Sequence, residues 1–353
     1  MFNQNQRFIK WLDTLAYVFM LLNIFAIPFL VDKNLTNNFV LPKQYLFVGL
    51  LLFNFIFFAV KTILEKKMYY RQSVLDLPLL ILLGIALVSS LFSVSIFDSF
   101  LGRNEHFILS FVFLFFLVAF YLFLVNIINT PERWRGVLDA ILIVGGVGAV
   151  LFILNTAFGF SVPFVGQLLN TIDMANSVFG LWLIPIFIIA AGSLIKKNIS
   201  VFRMVFYALV LVLTLAALLV MGFGFFWWVI LIGLILLLLL GVSFLQDAKL
   251  AWLSVLFAML IISCAFVVFG SPKWVQTSVP AEVSLDRQSS WTISKSLLFS
   301  GVKNFLVGSG LGTFAADFSQ FRASDFNYHP TAWNMRFTQP FNSLFAILAE
   351  GGV

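Results

Sequence analysis

The sequence predicts an all-α, polytopic integral membrane bundle of about nine to ten spans, with a large outer loop that carries short amphipathic helices. Three observations lead there. Hydrophobic residues make up 61% of the chain against 10% charged, and the mean hydropathy is +1.05, a composition outside the range of water-soluble domains. Nine apolar stretches read as candidate spans. Lysine and arginine are distributed between the stretches with the asymmetry that orients membrane proteins.

The elements follow in order. Met1 to Lys10 is short and polar, and Trp11–Val31 exceeds the apolar core of a signal peptide and lacks a small-x-small cleavage site, so it reads as a retained first helix. Further spans are expected at Tyr45–Ile63, Leu75–Phe92, His106–Val125, Val137–Ala157, Ala175–Leu194, Val205–Val220, Phe225–Leu245 and Trp252–Phe269. No charged residue lies between Arg203 and Asp247, a distance too long for one crossing, so a turn is expected at Gly222-Phe223-Gly224. With the N-terminus inside, the inner segments hold Arg7, Lys10, Lys61, Lys66, Lys67, Arg71, Arg133, Arg135, Lys196, Lys197, Arg203 and Lys249. The short outer loops hold only Lys33, Lys43 and Arg103. Residues 1–269 are thus expected as the transmembrane bundle and 270–340 as an extracytoplasmic loop with the candidate active site. Residues 341–353 are expected as the start of a further span in a truncated chain.

This composition excludes several classes. The net charge of +6 is explained mostly by the insertion bias, so it does not point to nucleic acid. Cys264 is the single cysteine, which excludes an intrachain disulfide and a multi-thiol metal site.

Chemistry in water is expected in the loop. From Ser284 the sequence reads as an amphipathic helix with Ile293, Leu297, Gly301 and Phe305 on one side. Arg287, Trp291 and Lys295, at i, i+4 and i+8, share the other. There an indole face can hold an arginine while its guanidinium fork meets a phosphate; a basic face snorkelling at the membrane surface is the plainer alternative. Gly308-Ser309-Gly310-Leu311-Gly312-Thr313-Phe314 then reads as a cap and tight turn, with an anion-binding nest as the second reading. No predicted strand precedes it and no Lys-Ser/Thr follows, so a dinucleotide fold and a P-loop are unsupported.

The order Arg287, Trp291, Gly-x-Gly-x-Gly-Thr-Phe, then Asn342-x-Leu344 and Ala349-Glu350-Gly351-Gly352, resembles the O-antigen ligase and O-antigen polymerase superfamily of bacterial membrane proteins. The resemblance extends to Pro42-Lys43, to the DLPLLILLGIALVSSLFSVSIFDSFLGR stretch ending at Arg103, and to NTIDMANSVFGLWLIPI from Asn170. It implies transfer of a glycan from a polyprenyl diphosphate carrier to a hydroxyl acceptor, on a lipid or glycan, at the outer side of the bacterial cytoplasmic (inner) membrane. The carrier is already activated, so no cofactor is implied, and neither a metal nor a nucleic acid enters. Arg287, which would hold the diphosphate, and Glu350 are carried over as candidate catalytic residues, and Asn342 is carried over at its matching position.

Two departures stand out. Phe341 occupies the position before Asn342 where relatives have histidine, and Gly222–Phe226 supplies no arginine where relatives have one. His329, in a polar turn, is the candidate replacement catalytic group, or else a solvated loop histidine. Arg103, Asp173, Asn176, Trp291, Lys295, Arg336 and Asn342 are the candidate substrate-binding residues. Plainer roles for them are interfacial anchoring for Arg336 and its aromatic neighbours, and helix capping for Asp173 and Asn176. The loop is expected to cover an apolar cavity open to lipid, with Arg287 pointing in. The rival classes are a non-catalytic scaffold that binds lipid-linked glycan and a lipid-linked oligosaccharide flippase. The apolar middles of the spans disfavour the flippase.

Overall fold

The computed structural model describes residues 2–32, 40–67, 70–102, 107–159, 176–195, 199–273, 275–276, 283–328 and 333–353 except 245–249. Among these the fold is helical throughout, with no strand. Five helices are long and apolar enough to cross a membrane: Gln6–Phe29, Val40–Glu65, Pro131–Phe158, Asn176–Ile195 and Val201–Met221. Four apolar segments are shorter: Asp76–Leu91, Phe111–Ile127, Gly224–Leu240 and Leu253–Phe269.

In chain order the helices are α1 (Phe2–Ala26), α2 (Val40–Glu65), α3 (Asp76–Leu91), α4 (Ile96–Leu101), α5 (Phe111–Ile127), α6 (Pro131–Phe158), α7 (Asn176–Ile195), α8 (Val201–Met221), α9 (Gly224–Phe244), α10 (Leu250–Phe269), α11 (Arg287–Leu298), α12 (Val302–Val307), α13 (Phe314–Phe321) and α14 (Ser343–Gly351). Local chemistry sets several ends. Thr130 accepts from the Arg133 amide with Pro131 at the first helical position, which opens α6, and Gly159 closes it at φ 63°. The expected turn at Gly222 is present: α8 stops at Met221, Gly222 takes φ 70°, and α9 resumes at Gly224.

The chain forms two compact units. One contains Val18–Phe47 and Asn129–Ala281, and its core is the α6–α10 bundle. Phe179, Leu183, Phe187, Phe226 and Trp227 are almost fully buried there. Small residues bring the helices close: a Cβ on Gly145 would collide with Ile186, and one on Gly180 with the Phe226 ring.

The other unit contains Met1–Tyr17, Val48–Ile128 and Glu282–Val353. Lys61 of α2 pairs with Asp13 of α1 at 2.8 Å. Here α11 packs on α13 and α14, and α14 also contacts α12 and α3. Leu285, Ile293, Leu297, Phe314, Phe318 and Ala349 form a small apolar core.

Candidate functional site

The continuous amphipathic helix expected from Ser284 to the glycine turn is two helices. Asp286 opens α11 by accepting the Gln288 and Ser289 amides, each at 3.0 Å. Those hydrogen bonds, the Ser289 contacts foremost, hold the Asp286 carboxyl below its ordinary range. The helix ends at Leu298 because Ser300 donates both its amide and its hydroxyl to Leu297 O, the latter at 2.6 Å, and Gly301 turns extended. Ile293 and Leu297 are buried as expected; Gly301 and Phe305 belong to α12 and its cap and are exposed.

Arg287, Trp291 and Lys295 share an exposed face of α11. The opposite face is small and polar as well as apolar. Buried Ser290 accepts the Phe341 amide at 2.9 Å, and buried Ser294 donates to Phe345 O at 3.3 Å, so α11 is fastened to the start of α14. Trp291 lies 5.7 Å from the Phe345 ring, tilted to it by 42°, and is 45% exposed. The side chains of Arg287 and Lys295 make no hydrogen bond or ion pair among the described residues. The amides of the first α11 turn are already taken by Asp286, so an anion on this face would be met by side chains rather than by the helix terminus.

The glycine turn is packed against protein. Gly308, Gly310 and Gly312 adopt φ 72°, 109° and 68°, a region that only glycine enters freely. A Cβ on Gly308 would collide with the Glu350 backbone, and one on Gly310 with Ser93 and Ser99. Ser309 N donates to Ala349 O at 3.0 Å and Gly310 N to Glu350 O at 3.1 Å, while Val353 N reaches Phe305 O at 2.9 Å. The two glycine motifs thus form one backbone-to-backbone joint. The α3–α4 segment closes it: Ser89 Oγ donates to Glu350 O at 2.6 Å, Ser99 Oγ to Leu311 O at 2.8 Å, and Val94 N to Ser309 O at 2.9 Å.

Glu350 is 5% exposed, and its Oε1 accepts the Phe314 amide at 3.2 Å, with the Gly312 amide also directed at the carboxyl. The nest reading of the turn therefore has an occupant, which is the chain's own carboxyl group. Beside it Asp317, 1% exposed, accepts from Ser309 Oγ at 2.6 Å, and the Thr313 hydroxyl is 2.8 Å from the same serine. Burial raises the Asp317 carboxyl to about 6, against the opposing pull of that serine hydrogen bond. Sequence reasoning missed Asp317. The available signal was a carboxylate between Phe314 and Phe318 on the buried face of α13, where a charge needs a partner.

The remaining candidates lie as follows. Asn342 caps α14, accepting the Phe345 amide at 2.9 Å. Arg336 is exposed and donates from Nε to Ala315 O at 3.3 Å. Asn176 is buried as the first residue of α7, in the other unit. Arg103, Asp173 and His329 lie outside the described residues. The expected cavity with Arg287 pointing in is not met by either described cavity of this unit. One, of about 190 Å³, is lined by Gln288, Ser289, Thr292 and Phe326 on another side of α11, and a larger groove lies between α2 and α5.

Neither a protein-family model, nor a curated protein, nor a solved structure matches the chain.

Proposed function

We propose that this chain binds a polyprenyl diphosphate-linked glycan and transfers the glycan to a hydroxyl acceptor, in the manner of O-antigen ligases and polymerases, from the outer side of a bacterial cytoplasmic membrane. The four shorter apolar helices are read as crossing with the five long ones, so that α11–α14 lie outside. The observation that carries the reading is the exposed Arg287–Trp291–Lys295 face on a helix whose back is fastened to α14. A guanidinium can take two diphosphate oxygens, an ammonium adds a second charge, and the exposed part of the indole suits a sugar ring or the arginine itself. Holding the helix in advance lowers the ordering cost of binding.

A specific observation favours a second reading, a lipid-linked glycan-binding scaffold without transfer. Glu350 is engaged by the turn, Asp317 is buried, and Phe341 supplies no base where relatives have histidine. An assay of glycan transfer by the purified full chain, with a polyprenyl diphosphate glycan and a hydroxyl acceptor, separates the two. Transfer is expected from wild type and a loss of about tenfold or more from Arg287→Ala. Binding without transfer would establish the scaffold, and no binding would sink both.

A further inference from the structure

A second feature lies away from that face. Between α2 and α5 runs an apolar groove of about 430 Å³, a volume within the range of ligand sites. Its walls include Leu51, Phe55 and Phe58 from α2 and Phe115, Ala119 and Phe123 from α5. Phe123 sets the spacing by edge contacts with Phe55 and Phe58, at ring-centroid distances of 6.2 and 5.6 Å. Along α5 the lining runs from Phe115 to Asn126, about 16 Å at the helical rise.

The groove has one polar end. Asn126 and Tyr70 line it there, and Asn126 Oδ1 accepts the Arg71 amide at 2.9 Å, which pins the Arg71 backbone at the mouth. The Arg71 side chain is exposed with no partner among the described residues, and Lys66 and Lys67 are exposed just after the end of α2. Of the two carboxylates nearby in sequence, Asp76 accepts from Tyr70 Oη at 2.6 Å and from the Ser73 amide at 2.8 Å, and Glu65 closes α2. Those hydrogen bonds come from neutral donors and leave Asp76 ionised, so the three cations Lys66, Lys67 and Arg71 stand against two carboxylates, a net positive charge that Arg71 supplies.

We propose that this groove holds one acyl chain of an anionic phospholipid, with its phosphate at Arg71. An apolar trench between two apolar helices, closed at one end by excess positive charge, matches an amphiphile with one charged head and a tail lying along the helices. The charge selects an anionic head over a zwitterionic one. Its place at the ends of α2 and α5 that carry the lysines and arginines of the insertion bias selects a lipid of that leaflet. The inference is independent of the glycan-transfer reading.

The test is native mass spectrometry of the full chain in mild detergent, titrated with phosphatidylglycerol and phosphatidylcholine of identical chains. Wild type should retain phosphatidylglycerol roughly fivefold better. Arg71→Gln should abolish that preference and still bind both lipids. Ala119→Trp should reduce retention of both, with helix content unchanged by circular dichroism. Leu52→Trp fills the groove from the other helix and serves if Ala119→Trp does not fold. Unchanged retention in the filled variant, or a preference that survives Arg71→Gln, would overturn the proposal. So would displacement of phosphatidylglycerol by a polyprenyl phosphate at equal concentration, or a dimer abolished by the filling substitution, since each names a different occupant.

Discussion

The α6–α10 bundle and the α11–α14 region are both helical, yet they are held by different physics. In the bundle, large apolar side chains interdigitate, and close approach is permitted by glycines such as Gly145 and Gly180 within helices. Around α14, short elements are located by specific polar bonds: serines to backbone carbonyls, the Ser309 and Gly310 amides to Ala349 and Glu350, and a carboxyl group on two turn amides. Cohesion in the first is spread over many contacts, each replaceable by a similar shape. In the second it rests on a few positions with no substitute.

The largest expected effect lies at the turn. Gly310→Ala forces a side chain onto φ 109° and into Ser93 and Ser99, at a cost of about 3–5 kcal/mol, read as a steep fall in unfolding temperature. Gly180→Ala in the bundle keeps a helical backbone and meets the buried Phe226 ring alone, for about 1–3 kcal/mol. Equal costs would erase the distinction between the regions.

A pH titration sharpens it further. Asp317 has a folded value of about 6 against an ordinary 3.8, so its protonated form is the one that folding favours. Its contribution is fully present below about pH 4 and lost as pH rises through about 6, for roughly 3 kcal/mol in all. Asp317→Asn keeps an acceptor for Ser309 and removes the titration. The variant should therefore gain stability relative to wild type between about pH 4 and 6, as unfolding temperatures measured in parallel would show. A constant difference across that window would mean that Asp317 is not the buried acid described.

The smallest effect is a cap. Asn342→Ala removes the hydrogen bond to the Phe345 amide and should cost about 1 kcal/mol, with glycan binding changed less than tenfold. A larger loss of binding without a matching loss of stability would make Asn342 a ligand contact as well as a cap.

Much of the architecture was legible because apolar length is a strong signal. Leu75–Phe92 and Phe225–Leu245 were expected as spans, and apolar helices lie there, at Asp76–Leu91 and Gly224–Phe244. Of the nine expected spans, five are helices long and apolar enough to cross among the described residues, and the other four are shorter. The break between α8 and α9 followed from a charge-free run too long for one helix. The α11–α14 region was less legible. Ile293 and Leu297 predicted a buried face correctly, but the pattern continues through Gly301 and Phe305, and the stop at Leu298 is made by Ser300, whose bonds leave no periodic trace. The joint between the glycine turn and Ala349–Gly352 is built from backbone groups some forty residues apart, so no side-chain pattern announces it. The exposed Arg287–Trp291–Lys295 face was readable because helical spacing alone aligns it.

The central claim is that this face holds a diphosphate through a bidentate fork. It is tested most directly by the affinity of the purified full chain for a polyprenyl diphosphate glycan, at fixed salt, for wild type, Arg287→Lys, Arg287→Ala, Trp291→Ala and the Arg287→Ala/Trp291→Ala double variant. The account predicts that Arg287→Lys weakens binding although the charge is kept, that Arg287→Ala weakens it by about one to two decades, and that Trp291→Ala adds less in the double variant than alone. Unchanged affinity across the series would contradict it.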